Sequence, residues 1–287
     1  MRSRLEIKAD IYGVKQLILG VDFTSAPSKT KPIVCGKAWL DRDRQLLQFA
    51  DCDRFTTFDD WMAWLREMPT WIAGVDFPLG LPRRLIENLQ WGAWPEYVQR
   101  VGQMTKPEFV ETLNQYRQGR NAGDREHLRA TDQIQGAISP MKVYGVPVGK
   151  MFFEGAPRLW AAGFSILPCH PTHDPRTVFE IYPALMARRI IGRQSYKSDQ
   201  RHKQTLEMQS LRQQMIDGLR EHSSLTASLS QGLTLEIGDR LAQLCVTDAS
   251  GDTLDALFAT LQTAAAAQIP NYGIPDHCDR LEGWICG

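Results

Sequence analysis

The tetrapeptide Gly-Val-Asp-Phe occurs twice in the chain, at 20–23 and at 74–77, and it constrains the fold more than any other sequence feature. Each copy closes a short apolar run, QLILGV or TWIAGV, of the kind expected for a buried strand. Asp22 and Asp76 are therefore predicted at the C-terminal ends of two strands, where open α/β sheets bind their ligands. If the strands are neighbours, the two carboxylates lie close together and favour a bound cation or a proton. The alternative, in which each Asp caps a turn, is less favoured because the whole tetrapeptide is repeated.

The rest of the pattern alternates strands with helices. Further strands are predicted at 32–40, 45–50 and 177–182, and helices at 183–191, about 203–221 and about 252–268. The segment TTFDDWMAWLREM has helical periodicity, with Thr57 as its N-cap and Asp60 three residues later. This order predicts an α/β fold around one mixed sheet. We expect a single domain over 1–287 with a helical and irregular insertion at about 83–175, where helical patches are broken by Gly and Pro.

Composition excludes several classes of protein. The 33 basic and 33 acidic residues balance to a net charge of zero, and 43% of the residues are hydrophobic. That balance excludes a disordered polyelectrolyte and a histone-like polycation. The N-terminus has no apolar signal-peptide core, and no apolar window reaches the ~18–20 residues that span a bilayer. We therefore expect a soluble, cytoplasmic protein.

Three further acids extend the candidate site. Glu180 lies inside the apolar strand VFEIY, where a buried charge needs a partner or a metal; an outward-facing residue is the alternative. Asp252 and Asp255, three positions apart, share one face of the last predicted helix. Asp252 is also a candidate N-cap, whereas Asp255 is surrounded by apolar residues. Carboxylates from several strands and a helix suit two hard cations, Mg²⁺ or Mn²⁺, which about 4 Å apart activate water for phosphodiester hydrolysis.

Basic and aromatic residues are candidates for substrate contacts. A basic stretch follows the Glu180 strand, and within it Lys197 is the candidate to reach a scissile phosphate. A solvated helix face is an equally good interpretation of this stretch, which contains Arg188, Arg189, Arg193, Lys197, Arg201 and Lys203. The insertion adds Arg129, Asp132 and Lys142 as candidate substrate-binding residues. Its aromatic residues Trp91, Trp94 and Tyr97 are more typical of a core than of base stacking. His277, Cys278 and Cys286 lack the ligand spacing of a zinc site.

These motifs resemble the ribonuclease H-like superfamily and, within it, the DUF429 group of predicted RNase H-like nucleases. The matching stretches are GVDFTSAP, GVDFPLGLP, VFEIYPALMARRIIG, GDTLDALFATLQTAAA and EGWI near the end. The segment VFEIYPALMARRIIGRQSYKSDQ is also similar to the middle of RuvC-type Holliday-junction resolvases. The resemblance covers both ends of the chain, and over 83–175 it is loose and limited to the DUF429 group.

The resemblance implies five strands in the order 3-2-1-4-5, the first three antiparallel. It implies that Asp22, Asp76 and Asp255 are metal ligands and that Asp252 is a further one. Glu180 departs from the simplest family members, which take their second acid from the strand that holds Asp76. RuvC-like resolvases would also imply a homodimer.

The sequence thus predicts a metal-dependent nuclease with Asp22, Asp76, Glu180, Asp255 and Lys197 in the catalytic machinery and a nucleic acid or nucleotide as substrate. Two alternatives stay open. An actin-like phosphotransferase shares this fold, but it needs two copies of it and a glycine-rich phosphate loop, neither of which the chain provides. A non-catalytic nucleic-acid-binding protein would leave the clustered acids without a cation, which is costly.

Overall fold

A seven-stranded mixed sheet is the centre of the structure, a computed structural model that describes residues 15–221 and 231–287. The strands follow the order β5-β6-β4-β1-β2-β3-β7. β1, β2 and β3 are antiparallel neighbours, and the other pairs, β1 with β4, β4 with β6, β6 with β5 and β3 with β7, are parallel. The strand bounds are β1 Gln16–Asp22, β2 Ile33–Asp41, β3 Leu46–Phe55, β4 Trp71–Val75, β5 Ser165–Leu167, β6 Arg176–Glu180 and β7 Thr234–Ile237.

The α/β class predicted from the sequence is confirmed, but the described sheet has seven strands where five were expected. β5 and β7 form the two edges, and they have three and four residues. Strands this short give almost no periodic signal, which is why the sequence pattern did not reveal them. β5 also lies inside the segment that was expected to be an insertion.

Ten α-helices in the described residues cover the sheet. The helix bounds are α1 Phe58–Glu67, α2 Arg83–Leu89, α3 Trp94–Gln103, α4 Lys106–Arg117, α5 Ala130–Gln135, α6 Val148–Ala161, α7 Ala184–Ile191, α8 Leu206–Arg220, α9 Asp239–Thr247 and α10 Asp252–Ala267. Thr57 caps α1, as predicted: its side chain accepts a hydrogen bond from the Asp60 backbone nitrogen at 3.1 Å. Pro183 and Gly192 flank α7, also as predicted. Within the described residues no helix has the length and apolarity needed to cross a membrane.

Two apolar cores lie on opposite faces of the sheet. The first lies under α1 and the helices of the 83–161 segment, and it includes the buried aromatic residues Trp91, Trp94 and Tyr97. The interpretation of these three as core residues is therefore confirmed. The second core lies under α7–α10. Successive residues of a strand point to opposite faces, so the sheet divides its residues between the two cores.

A row of glycines lets α10 lie directly on the sheet. Gly36, Gly20 and Gly74 are opposite one another in β2, β1 and β4. A Cβ atom at Gly20 would lie 2.0 Å from the backbone nitrogen of Thr260, and one at Gly74 would lie 2.0 Å from Thr263 Oγ1. The close approach requires the absence of side chains here. It explains the glycine of each repeated tetrapeptide and buries all sixteen residues of α10.

Candidate functional site

The two copies of the tetrapeptide lie side by side. Val21 and Val75 are partners in the parallel pair of β1 and β4, and the Asp76 backbone nitrogen donates to the Val21 carbonyl oxygen at 3.0 Å. Asp22 and Asp76 follow these valines, so both point to the face on which Gly20, Gly74 and α10 lie. The phenylalanines that follow point to the other face, where the rings of Phe23 and Phe77 are 4.4 Å apart. Each position of the repeat therefore has its own structural role.

The first turn of α10 brings Asp255 to the same place. Its carboxylate is buried and both oxygens are bonded: the Tyr196 hydroxyl donates to Oδ1 at 2.5 Å, and the Lys197 ammonium forms an ion pair with Oδ2. Lys197 is also close enough to Asp22 and Asp76 to lower the pKa of both. The basic residue predicted to stand beside the acids therefore contacts one of them directly.

Burial and mutual repulsion dominate the electrostatics of these acids. Burial raises the pKa of Asp22 well above its usual value; Lys197 opposes this shift, and Asp255, Asp252 and Asp76 add to it. Burial and Asp255 raise the pKa of Asp76 to about 7. No hydrogen-bond donor among the described residues contacts the carboxylate of Asp22 or Asp76. We call Asp22, Asp76, Asp252 and Asp255, together with Lys197, the carboxylate cluster; it has one cation for four acids.

Asp252 is part of this cluster rather than the N-cap of α10. The capping role belongs to Asp248, which accepts hydrogen bonds from the backbone nitrogen of Thr253 at 3.0 Å and from its hydroxyl at 2.6 Å. These bonds and those from Ser250 and Arg54 lower the pKa of Asp248 to about 2, against the effect of burial. Asp252 itself accepts one bond, from Ser250 Oγ at 2.9 Å. The sequence did not single out Asp248 because it precedes the helix by four residues.

Two further residues that the sequence did not single out hold Lys197 in place. Arg212, buried in α8, donates to the Tyr196 carbonyl oxygen at 2.6 Å and to that of Val246 at 2.8 Å, and so ties the Lys197 loop to the end of α9. Gly251 lies against the aliphatic stem of Lys197, where a Cβ atom would be 2.7 Å from its Cδ. The φ of Gly251 is +78°, a second reason for glycine at this position. The sequence feature that could have identified Arg212 is its position within the apolar face of the helix predicted at about 203–221.

Glu180 belongs to a different group of side chains. It pairs in register with Val75, so it points to the face opposite that of Asp76. There Arg129 binds it in a bidentate ion pair, with N–O distances of 2.6 and 2.7 Å, and the Leu79 backbone nitrogen donates to it at 3.1 Å. Burial raises the pKa of Glu180, and the Arg129 guanidinium acts in the opposite direction. The sequence left open whether this buried charge has a partner or a metal, and the structure shows a partner, Arg129; the catalytic role of Glu180 stays a prediction.

Arg129 and Asp132 complete this second group, which we call the Arg129 cluster. Arg129 Nε donates to Asp132, Nη2 donates to Asp132 and Glu180, and Nη1 donates to Glu180 and to the Glu282 carbonyl oxygen. All five N–H donors of the guanidinium are therefore used inside the protein. In the structure Arg129 and Asp132 are internal partners of Glu180, 1% and 0% exposed, and the substrate contacts that the sequence predicted for them stay a prediction.

Glu282, in the EGWI motif, supports the Arg129 cluster from the C-terminal segment. One of its carboxylate oxygens accepts from the Arg83 backbone nitrogen at 2.8 Å and the other from that of Ala130 at 3.0 Å. These nitrogens open α2 and α5, whose first N–H groups have no partner within the helix. One acid thus caps two helices.

The remaining basic candidates are spread over the surface. Arg188 is exposed and donates to the Tyr182 hydroxyl at 2.9 Å, and Arg193 lines the same groove, beside Tyr196. The ammonium group of Lys142 lies over the ring of Tyr144, 5.4 Å from its centroid. Lys142 is not among the residues that line a small cavity next to Asp76. Arg188 and Arg193 thus share a groove with Tyr196, whose hydroxyl bonds Asp255, whereas Lys142 lies at Tyr144.

Comparison with protein-family models, with curated proteins and with solved structures finds no match to this chain. The resemblance to DUF429 proteins, and the homodimer inferred from it, therefore stay predictions. Over residues 15–221 and 231–287, no three His, Cys, Asp or Glu side chains are arranged as a metal site. This applies to the carboxylate cluster, where Asp255 is turned to Tyr196 and Lys197, and to His277, Cys278 and Cys286.

Proposed function

We propose that this protein is a metal-dependent phosphodiesterase with a ribonuclease H-like fold, acting as a nuclease. The observation that carries the proposal is the charge of the carboxylate cluster. Four acids from two strand ends and a helix share one ammonium group, and Asp22 and Asp76 have no hydrogen-bond donor among the described residues. A buried excess of negative charge is costly unless a cation or protons neutralise it.

The donor set fits a hard divalent cation. Mg²⁺ and Mn²⁺ prefer carboxylate oxygens, and carboxylates are what β1, β4 and α10 present here. Asp22, Asp76 and Asp255 would hold the ion, with Asp252 as a further ligand. For this, Lys197 has to leave Asp255, since its ammonium group now occupies one of the carboxylate oxygens. A bound Mg²⁺ would supply a water of lowered pKa and stabilise charge on the phosphate.

The chain's own residues would bind and orient the substrate. Once released from Asp255, Lys197 can reach a phosphate oxygen beside the cluster. Its loop stays in place meanwhile, because Arg212 donates to the Tyr196 carbonyl oxygen. Arg188 and Arg193 offer further positive charge to neighbouring phosphates. In this proposal Glu180 is a positioning residue: it holds Arg129 and accepts from the Leu79 backbone nitrogen, which stabilises the segment after Asp76.

Cleavage of labelled oligonucleotides in Mg²⁺ or Mn²⁺ tests the proposal. We expect Asp22→Asn and Asp255→Asn to reduce the cleavage rate by at least about 100-fold, since each removes a charged ligand. The control is Asp43→Asn, which removes an exposed acid from the β2–β3 turn and should leave the rate unchanged. Full activity of both purified site variants would refute the proposal. Binding of the strand without metal-dependent cleavage would favour the non-catalytic alternative.

A further inference from the structure

A cavity of about 130 Å³ opens beside Asp76, between the carboxylate cluster and the Arg129 cluster. Most of its wall is apolar, and two wall residues, Ile138 and Val146, are 37% and 57% exposed. Drug-sized ligands occupy pockets of about 300–1,000 Å³, so this one admits a fragment of one or two rings. The apolar lining consists of Phe77, Pro78, Ala137, Ile138, Val146, Val148, Met151, Ile181 and Ile285.

The charged residues of the cavity disfavour an anion inside it. Asp76, Asp132 and Glu180 contribute three carboxylates, against the one guanidinium of Arg129. That guanidinium has already used all its donors, so it offers no hydrogen bond to a phosphate or a carboxylate. An uncharged, flat group suits this combination of apolar walls and negative potential, since a phosphate would meet repulsion without compensation.

A basic groove lies next to the cavity. It has a volume of about 500 Å³ and contains Arg188 and Arg193. Its wall includes Gly136 and Ala184, close in sequence to the cavity residues Ala137 and Tyr182. The Arg188 guanidinium also lies over the Tyr182 ring, 5.3 Å from its centroid, and so joins the two spaces. A pocket suited to an uncharged group and a cationic groove therefore adjoin each other at Tyr182.

We propose that the cavity is a base-binding subsite, which takes one unstacked base of a single strand while Arg188 and Arg193 bind the phosphates that follow it. This inference rests on the proposed nuclease function and names its substrate class. A base has the required properties: it is flat, uncharged and attached to a negatively charged backbone. An intact duplex cannot place a base in the cavity without breaking a base pair, which costs a few kcal/mol.

Binding of two short single strands tests the subsite. One is a tetranucleotide and the other is the same sugar–phosphate backbone without bases, both measured by fluorescence anisotropy in EDTA, so that no cleavage occurs. The wild-type protein is expected to bind the tetranucleotide at least about tenfold more tightly, because one base buried against apolar and aromatic groups contributes that much. A duplex of the same sequence is expected to bind more weakly than the single strand.

The variant Ala137→Phe fills the cavity from its wall. It should abolish the preference for the strand with bases while leaving the affinity for the abasic strand unchanged. The matched control, Leu244→Phe, changes an exposed residue of α9 and should keep the preference. The unchanged affinity for the abasic strand shows at the same time that the filled variant is folded.

Three outcomes would overturn the subsite: equal affinity of the wild type for the two strands, a preference that survives in Ala137→Phe, or no binding of either strand. None of them decides the proposed function. Hydrolysis of bis(4-nitrophenyl) phosphate needs no base, and its loss in Asp22→Asn would support the phosphodiesterase independently. Failure of the subsite and failure of the proposed function therefore give different results.

Discussion

The carboxylate cluster and the Arg129 cluster lie at the same end of the sheet, on its two faces, and differ in how their charges are compensated. In the Arg129 cluster two acids share one guanidinium, and all five of its donors are used. The Arg129 backbone nitrogen, just before α5, also donates to Asp132, and the Glu282 carbonyl oxygen accepts from the guanidinium. In the carboxylate cluster four acids share one ammonium, and two of them have no donor among the described residues. The first arrangement compensates its buried charges within the protein, and the second leaves an excess of negative charge.

Burial by itself therefore does not identify a functional acid. Glu180 is 3% exposed and Asp255 is 4% exposed, so their accessibility does not distinguish them. What distinguishes the two clusters is the number of donors near the acids. Uncompensated carboxylates destabilise the folded protein, and such a cost is typical of sites that exist for binding rather than for stability.

Removing Arg129 should have the largest effect on stability. Arg129→Ala leaves Glu180 and Asp132 buried without a cation, and we expect the free energy of unfolding to fall by about 3–5 kcal/mol. Urea denaturation measures it. Arg189→Ala, an exposed arginine of α7, is the control and should change the free energy by less than about 0.5 kcal/mol. A small effect of Arg129→Ala would remove the distinction between the two clusters.

The next effect is the pH dependence of stability. Because the pKa of Asp76 is about 7 when folded, against an ordinary value of 3.8, the folded protein keeps a proton that the unfolded chain loses. Without metal, the contribution of this group to the free energy of unfolding should therefore fall by at most about 4 kcal/mol as pH rises from about 4 to 7, and level off above pH 7.

Urea denaturation in EDTA at several pH values follows this change. Asp76→Asn should make the curve flatter over that range, whereas Asp43→Asn should leave its slope as in the wild type. Mg²⁺ should also reduce the slope, since a bound cation keeps the acids ionised. If the free energy of unfolding of Asp76→Asn keeps the full pH dependence of the wild type, Asp76 does not carry the excess negative charge of the carboxylate cluster.

The smallest effect concerns Lys197 as a competitor of the cation. Its ammonium occupies an oxygen of Asp255, so a metal ion has to displace it. Lys197→Ala should therefore bind Mn²⁺ about tenfold more tightly, a gain of about 1.4 kcal/mol, measured by calorimetry. Lys142→Ala, on the Tyr144 surface, should bind Mn²⁺ as the wild type does. Weaker binding by Lys197→Ala would mean that the lysine supports the cation site rather than competing for it.

Sequence patterns alone predict the α/β class, the strands that lead to Asp22 and Asp76, and the helix that carries Asp252 and Asp255. These features have local causes: apolar runs of strand length, helical periodicity, a cap at Thr57 and a repeated tetrapeptide. The apolar residues that flank Glu180 also predicted that its charge needs a partner or a metal, without distinguishing the two.

The partner of each charge depends on the tertiary structure. Arg129 and Glu180 are 51 residues apart, and Tyr196 and Asp255 are 59 apart, so no local pattern relates them. The face of the sheet on which Glu180 lies depends on strand register, because a shift of one residue would turn its side chain to the other side. The close packing of α10 on three glycines in three strands is likewise a property of the assembled sheet. Partners and faces arise from long-range packing, and that packing separates the acids that are paired within the protein from those whose charge is uncompensated.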